Sequence, residues 1–123
     1  MPTLILVCVT CRRPGDDADL PCAGKALAHA TLAAAEDTGI SVRGARCLAN
    51  CKRGLSAAIL RAGAWSYVFG DLDAASDGPA LVAGAHLLAA SADGLMPWRE
   101  RPEALKRGLI ARLPPLQYHE GLA

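Results

Sequence analysis

The sequence predicts an α/β fold: one small mixed sheet with helices packed against it. Three observations carry that prediction. Residues 3–9, TLILVCV, form an unbroken β-branched and apolar run too short for a helix, which reads as a central strand buried on both faces. Residues 23–36, AGKALAHATLAAAE, are dominated by good helix formers, place Leu27, Ala30, Thr31 and Ala34 on one side, and stop at Gly39. The segments LSAAILR and WSYVFGD flank Ala62, Gly63 and Ala64 as the two apolar arms of a hairpin.

The remaining elements follow in order. After the first strand, TCRRPGDDADLPC holds Pro14, Gly15, Asp16, Asp17 and Pro21, and is read as a loop that delivers Cys22 to the helix. A second strand is expected near residues 40–45. Beyond the hairpin, residues 71–73 offer Asp71 and Asp73 as helix caps, and residues 80–90, ALVAGAHLLAA, supply the helix body. Strand, helix, strand, hairpin, helix is the order of a thioredoxin-like fold. The tail carries Pro97, Trp98 and Pro102, then a short helix expected in PEALKRGLIARL, ending at Pro114 and Pro115. The 123 residues suit a single core, with residues 1–95 as the main domain and 96–123 as an extension packing on it.

Lys+Arg 13 against Asp+Glu 12 announces neither a nucleic-acid surface nor an acidic tail. The start, MPTLILVCV, lacks a basic leader and a small-residue cleavage site, and no apolar run reaches the roughly 20 residues that cross a bilayer. A soluble protein of the cytoplasm, touching neither nucleic acid nor membrane, is expected. In that reducing compartment five cysteines point to metal or redox chemistry more than to disulfides.

Those cysteines are Cys8 at the end of the first strand, Cys11 and Cys22 in the loop after it, and Cys47 and Cys51 in RCLANC after the second strand. Thiolates bind iron or zinc when several approach one point, and the ends of neighbouring strands allow this. VCVTCRRPGDDADLPC and RCLANC, with the hairpin and helix that follow, resemble the thioredoxin-like two-iron two-sulfur ferredoxins over residues 3–91. The resemblance implies a 2Fe-2S cluster on Cys8, Cys22, Cys47 and Cys51, a one-electron carrier that is not itself an enzyme, a homodimer, and redox partners in the form of a reductase and an acceptor enzyme. Cys11 is an extra thiol and an alternative first ligand, but the strand ending VCV matches the family better with Cys8. The CVTC start and the tail around GLIARLPP are also similar to a poorly characterised bacterial family of metal-binding proteins associated with cobalamin biosynthesis, which implies an acceptor that handles cobalt or its corrin.

Two other readings of the thiols stand beside this one. Zinc favours two close pairs, which Cys8/Cys11 and Cys47/Cys51 offer, and a zinc or cobalt delivery protein would use them with Cys22 left over. A CxxC dithiol oxidoreductase would use CVTC, but its nucleophile needs a helix N-terminus and Cys11 is followed by the helix-hostile RRPGDDAD. Arg12, Arg13, Arg46, Lys52 and Arg53 lie near the thiols. They are expected to raise a cluster's potential and to attract an acidic partner or an anionic corrinoid. His29, His86 and His119 are assigned no role, Asp16, Asp17 and Asp19 read as a solvated loop, and Trp65, Tyr67 and Phe69 as one packed hairpin face. Trp98 reads as a tail-to-core contact or an interface anchor. No phosphate loop, nucleophile elbow or dinucleotide fingerprint occurs.

Overall fold

The computed structural model describes residues 2–12, 15 and 22–122. Among the described residues five strands and three α-helices follow one another as β1 (Thr3–Cys8), α1 (Ala23–Ala34), β2 (Ser41–Ala45), β3 (Ala57–Arg61), β4 (Ser66–Phe69), α2 (Gly78–Ala90), α3 (Glu103–Arg107) and β5 (Leu109–Leu113). The sheet order is β2-β1-β3-β4-β5. Only β1 and β2 run parallel, because α1 carries the chain back across the sheet between them; the other neighbours are antiparallel.

One face of the sheet holds the core. Ile5, Val7, Ile59 and Phe69 are fully buried there and Tyr67 nearly so, with Tyr67 and Phe69 stacked at 6.3 Å and Trp65 half-buried beside them. The two long helices pack on this face and on each other, α1 over β1 and β2, α2 over β1 and β3. Leu27 and Thr31 of α1 and Leu81, Ala85 and Leu88 of α2 are fully buried. Burying each large aliphatic side chain contributes about 1.5–3 kcal/mol, so this layer is a main source of hydrophobic stabilisation. Leu4 and Leu6 on the opposite face are half-buried, so β1 is covered on one side rather than both.

Two further expectations change. Helix α2 begins at Gly78 with Asp77 as its flanking residue, and Asp73 instead accepts the N–H groups of Ala75 and Ser76 in the turn before it. The tail helix stops at Arg107, and residues 109–113 pair with β4 as a fifth strand, in register from Ser66↔Leu113 to Phe69↔Leu109 with a bulge. Gly108 sits at this switch, where a Cβ would lie 2.6 Å from the Gly70 carbonyl oxygen. Trp98 is exposed and stacks on Arg101, whose guanidinium is buried beneath it against Tyr67. Among the described residues no helix is long and apolar enough to cross a membrane.

Candidate functional site

Strands β1 and β2 end side by side, with Cys8 opposite Ala45, so the loops that leave them open at the same edge. The first loop starts Cys8-Val9-Thr10-Cys11, and both its cysteines are buried. The second holds Cys47 and Cys51, both exposed, and closes through a 3₁₀ turn at Cys51–Arg53. The two loops touch. A side chain at Gly54 would stand 2.9 Å from the Arg12 carbonyl oxygen and 3.5 Å from Cys11 Sγ.

Cys22 flanks the start of α1, and its thiol donates to the Cys11 carbonyl oxygen at 2.6 Å, as does the Gly24 N–H at 2.9 Å. Helix α1 therefore starts pressed against the first loop, as a Cβ at Gly24 would lie 2.2 Å from the Cys8 carbonyl oxygen. Arg13, Pro14, Asp16, Asp17, Asp19 and Pro21 lie outside the described residues. The helix N-terminus described beside these thiols is that of α1, and the residue flanking it is Cys22.

The sulfurs sense one another. Burial pushes the Cys8 thiol up, but the Thr10 hydroxyl, the Cys11 thiol and the N–H groups of Thr10 and Leu48 outweigh it, and the net shift is downward. Cys11 is pushed up to about 12 by burial, by its bond to Cys8 and by the charges of Cys8 and Cys51. Within the pair Cys8 is the thiol that ionises more readily and Cys11 the one that holds its proton longer. Cys51 is raised by the charge and contact of Cys47, then by slight burial and by Cys8. Thus Cys8, Cys11, Cys47 and Cys51 share one electrostatic neighbourhood, and Cys22 touches it through the Cys11 backbone.

Backbone N–H groups face these sulfurs. Ala49 takes a left-handed φ of 57°, and its N–H points at Cys47 Sγ at 3.2 Å. Such a conformation is costly for a residue with a Cβ and concentrates at functional loops. The loop is fixed from behind by Asn50, whose amide donates to Ser56 Oγ at 3.2 Å, while Ser56 Oγ donates to the Phe69 carbonyl at 3.0 Å. The Asp71 N–H bonds the Arg53 carbonyl, and the Asp71 carboxylate holds the Arg53 guanidinium at 2.7 Å. Gly70 permits the approach, since a Cβ there would lie 2.6 Å from the Arg53 carbonyl oxygen and 2.8 Å from Asn50 Nδ2. These positioning residues escaped the sequence reading; a glycine directly after the hairpin arm and another two residues after Cys22 were the signals available.

Among the expected cations, Arg46 and Lys52 are exposed beside the outer cysteines, and Arg53 is committed to Asp71. His29, His86 and His119 are exposed and stand apart from any metal-binding group among the described residues. Sulfur donors in this number suit iron or zinc in kind. As now placed, however, no three of the described His, Cys, Asp or Glu side chains are close enough to enclose a metal ion.

An α/β domain with the thiols at the edge of a five-stranded mixed sheet is a thioredoxin-like fold, and solved structures agree. A thioredoxin-like [2Fe-2S] ferredoxin from Aquifex aeolicus superposes with a TM-score of 0.58 over 95% of this chain and 98% of that one, at 17% sequence identity. The wild-type thioredoxin-like [2Fe-2S] ferredoxin from the same organism, solved at 1.5 Å, gives 0.57 over 89% and 97%, at 14% identity. By sequence, residues 5–115 match the family described as protein of unknown function (DUF1636), and the chain belongs to that family. No curated protein matches it.

Proposed function

We propose that this protein is a one-electron carrier holding a [2Fe-2S] cluster. The observation that carries the reading is the meeting of two cysteine-bearing loops at one sheet edge with backbone N–H groups aimed at their sulfurs, in a fold shared with ferredoxins. N–H groups directed at sulfur stabilise the anionic cluster that four thiolates create, most of all when it is reduced. Cys8, Cys22, Cys47 and Cys51 are the ligands in this reading. Cys11 is the spectator, since burial and the neighbouring thiols push its pKa up to about 12. Binding requires Cys22 and the two loops to close further than they do now.

When bound, the cluster supplies reversible one-electron chemistry. The chain's own residues do the rest: Cys8 and Cys11 sit inside, Cys47 and Cys51 face solvent, and Arg46 and Lys52 flank the outer pair. Electrons therefore pass at the RCLANC loop, between a reductase and an acceptor enzyme, and the protein acts in the cytoplasm as a homodimer. The resemblance to a family associated with cobalamin biosynthesis favours a corrin-handling acceptor. The test is anaerobic purification: a red-brown protein with visible absorption that bleaches on dithionite and a paramagnetic reduced state are expected, with about two iron atoms per chain. A colourless protein that takes up no iron and sulfide on reconstitution refutes the reading.

One observation favours a second reading. The thiol contacts pair Cys8 with Cys11 and Cys47 with Cys51, the two close pairs that a zinc site uses. A colourless protein carrying one zinc or cobalt per chain would place the function in metal binding or delivery.

A further inference from the structure

Arg101 is a buried cation without an anion. The residue is 7% exposed, and Nη2 donates to the Met96 carbonyl oxygen at 2.6 Å, but Nε and Nη1 are buried with no hydrogen-bond partner among the described residues. Its Cζ stands 5.3 Å from the ring centroid of Tyr67 and 4.9 Å from that of Trp98. Rings attract a guanidinium through its faces, whereas its N–H bonds lie in its plane and are left unanswered. Burial pulls the Arg101 pKa below the ordinary arginine range; Tyr67 opposes that pull, and the charge of Arg112 adds to it. An ionised group kept from water with hydrogen bonds unmade is costly until a partner arrives.

The surroundings repeat that imbalance. Lys106 Nζ is 5.8 Å from the Trp98 ring centroid, and Arg112, the register partner of Tyr67, has its Cζ 4.5 Å from that of Trp65. Among the described residues no carboxylate pairs with Arg101, Lys106 or Arg112, and the tail's Glu120 is held by the Tyr118 hydroxyl. Residues 98–112 carry five of the chain's 13 cations and two of its 12 carboxylates, so a nearly neutral chain has one positive end. That end is accessible, because β5 is an edge strand and Trp98 is 55% exposed.

We propose that this end is a docking surface for an acidic segment of a partner protein, one of whose carboxylates bonds Arg101 while its neighbours meet Lys106 and Arg112. Trp98 turns aside to admit that carboxylate. The exchange is favourable, since the contact of a cation with an exposed ring is weaker than a charge-assisted hydrogen bond made where water is excluded. A planar carboxylate matches a guanidinium flanked by rings. Three cations grouped about one buried side chain do not form the long track that a nucleic-acid backbone follows. Exposed tryptophan beside buried arginine is also the composition of an interface anchor. The surface is separate from the thiol edge and does not rest on the electron-carrier reading.

Calorimetric titration of the full, metal-free chain with a decapeptide of alternating Glu and Gly tests it, with tryptophan emission read alongside. At about 50 mM salt a Kd between about 10 µM and 1 mM is expected, weakened at least about fivefold at about 300 mM salt as the flanking pairs are screened. Lys106→Gln and Arg112→Gln, at side chains that reach solvent and do not put folding at stake, should each weaken binding at least about threefold. Arg101→Met keeps the length, removes the charge and should weaken it at least about tenfold in a chain that circular dichroism shows to be folded. Lys25→Gln, exposed on α1 over β1 and β2, should leave the Kd unchanged. No binding at about 1 mM peptide, or Lys106→Gln and Arg112→Gln chains that bind as tightly as wild type, overturns the proposal whether or not Arg101→Met folds. Tighter, Arg112-dependent binding of a ten-nucleotide oligothymidylate overturns it too, and assigns the surface to nucleic acid. A chain that never takes up iron and still binds the peptide keeps this proposal and loses the electron-carrier reading.

Discussion

Gly24→Ala is the most direct probe of how α1 braces the thiol loop. The added Cβ would fall 2.2 Å from the Cys8 carbonyl oxygen, 3.1 Å from the Cys11 carbonyl oxygen and 3.2 Å from the Cys11 nitrogen. All three are backbone atoms, so no rotamer change relieves the contact, and the helix start must retreat by about 1 Å to reach ordinary van der Waals separation. That retreat stretches the bond from Gly24 N–H to the Cys11 carbonyl and draws Cys22 off the same oxygen. Overpacking of this kind costs about 1–3 kcal/mol. Alanine's advantage in helices, at most about 1 kcal/mol, offsets part of it. A net loss of about 1–2 kcal/mol is expected, or roughly 3–12 °C in Tm for a domain of this size. Thermal unfolding followed by circular dichroism reads it, and the visible spectrum of the reconstituted variant should shift with Cys22. A Gly24→Ala chain as stable as wild type with an unchanged spectrum would show that α1 does not brace the loop.

Three further predictions concern the same edge of the sheet. Gly70→Ala places a Cβ against the Arg53 carbonyl and Asn50 Nδ2; it should distort the loop carrying Cys47 and Cys51, lowering iron content on reconstitution and altering the reduced-state magnetic spectrum, and wild-type values for both would refute that positioning. The Cys11 thiol is raised from 9.0 to about 12 in the folded chain, so the folded state holds its proton longer than the unfolded one. Its contribution to stability is full below about pH 9 and declines as pH rises toward about 12. In metal-free protein, urea midpoints should fall from about pH 9 to about pH 11 more steeply for wild type than for Cys11→Ala, and parallel slopes would contradict the assignment. Finally, single serine substitutions at Cys8, Cys22, Cys47 and Cys51 should each change the visible spectrum, while Cys11→Ser should preserve it. The reverse pattern for Cys8 and Cys11 would exchange their roles.

Hydrophobic periodicity made β1, α1, β2 and the hairpin legible, since each buries its own apolar stripe and the stripe is written locally. The segment LIARL carried no such stripe. It follows helix formers, its outer residues are exposed, and its state is settled by pairing with β4, an element distant in sequence, so it read as helix. Asp77 was likewise hidden, because a flanking residue is defined by where the backbone turns and Asp71 and Asp73 offered equal chemistry.

By itself the sequence determined that five thiols occur in two groups, that each group follows a strand, and that the strands belong to a mixed sheet. Spacing along a chain constrains which residues are able to meet. Only tertiary structure decided which do: that Cys8 gathers the N–H groups and Cys11 keeps its proton, that Gly24, Gly54 and Gly70 let three backbones crowd one edge, and that Leu4, Leu6 and Leu60 stay half-buried on the outer face of the sheet. Those outcomes depend on contacts between segments far apart in sequence, where the energy of packing and hydrogen bonding is set by distance in space.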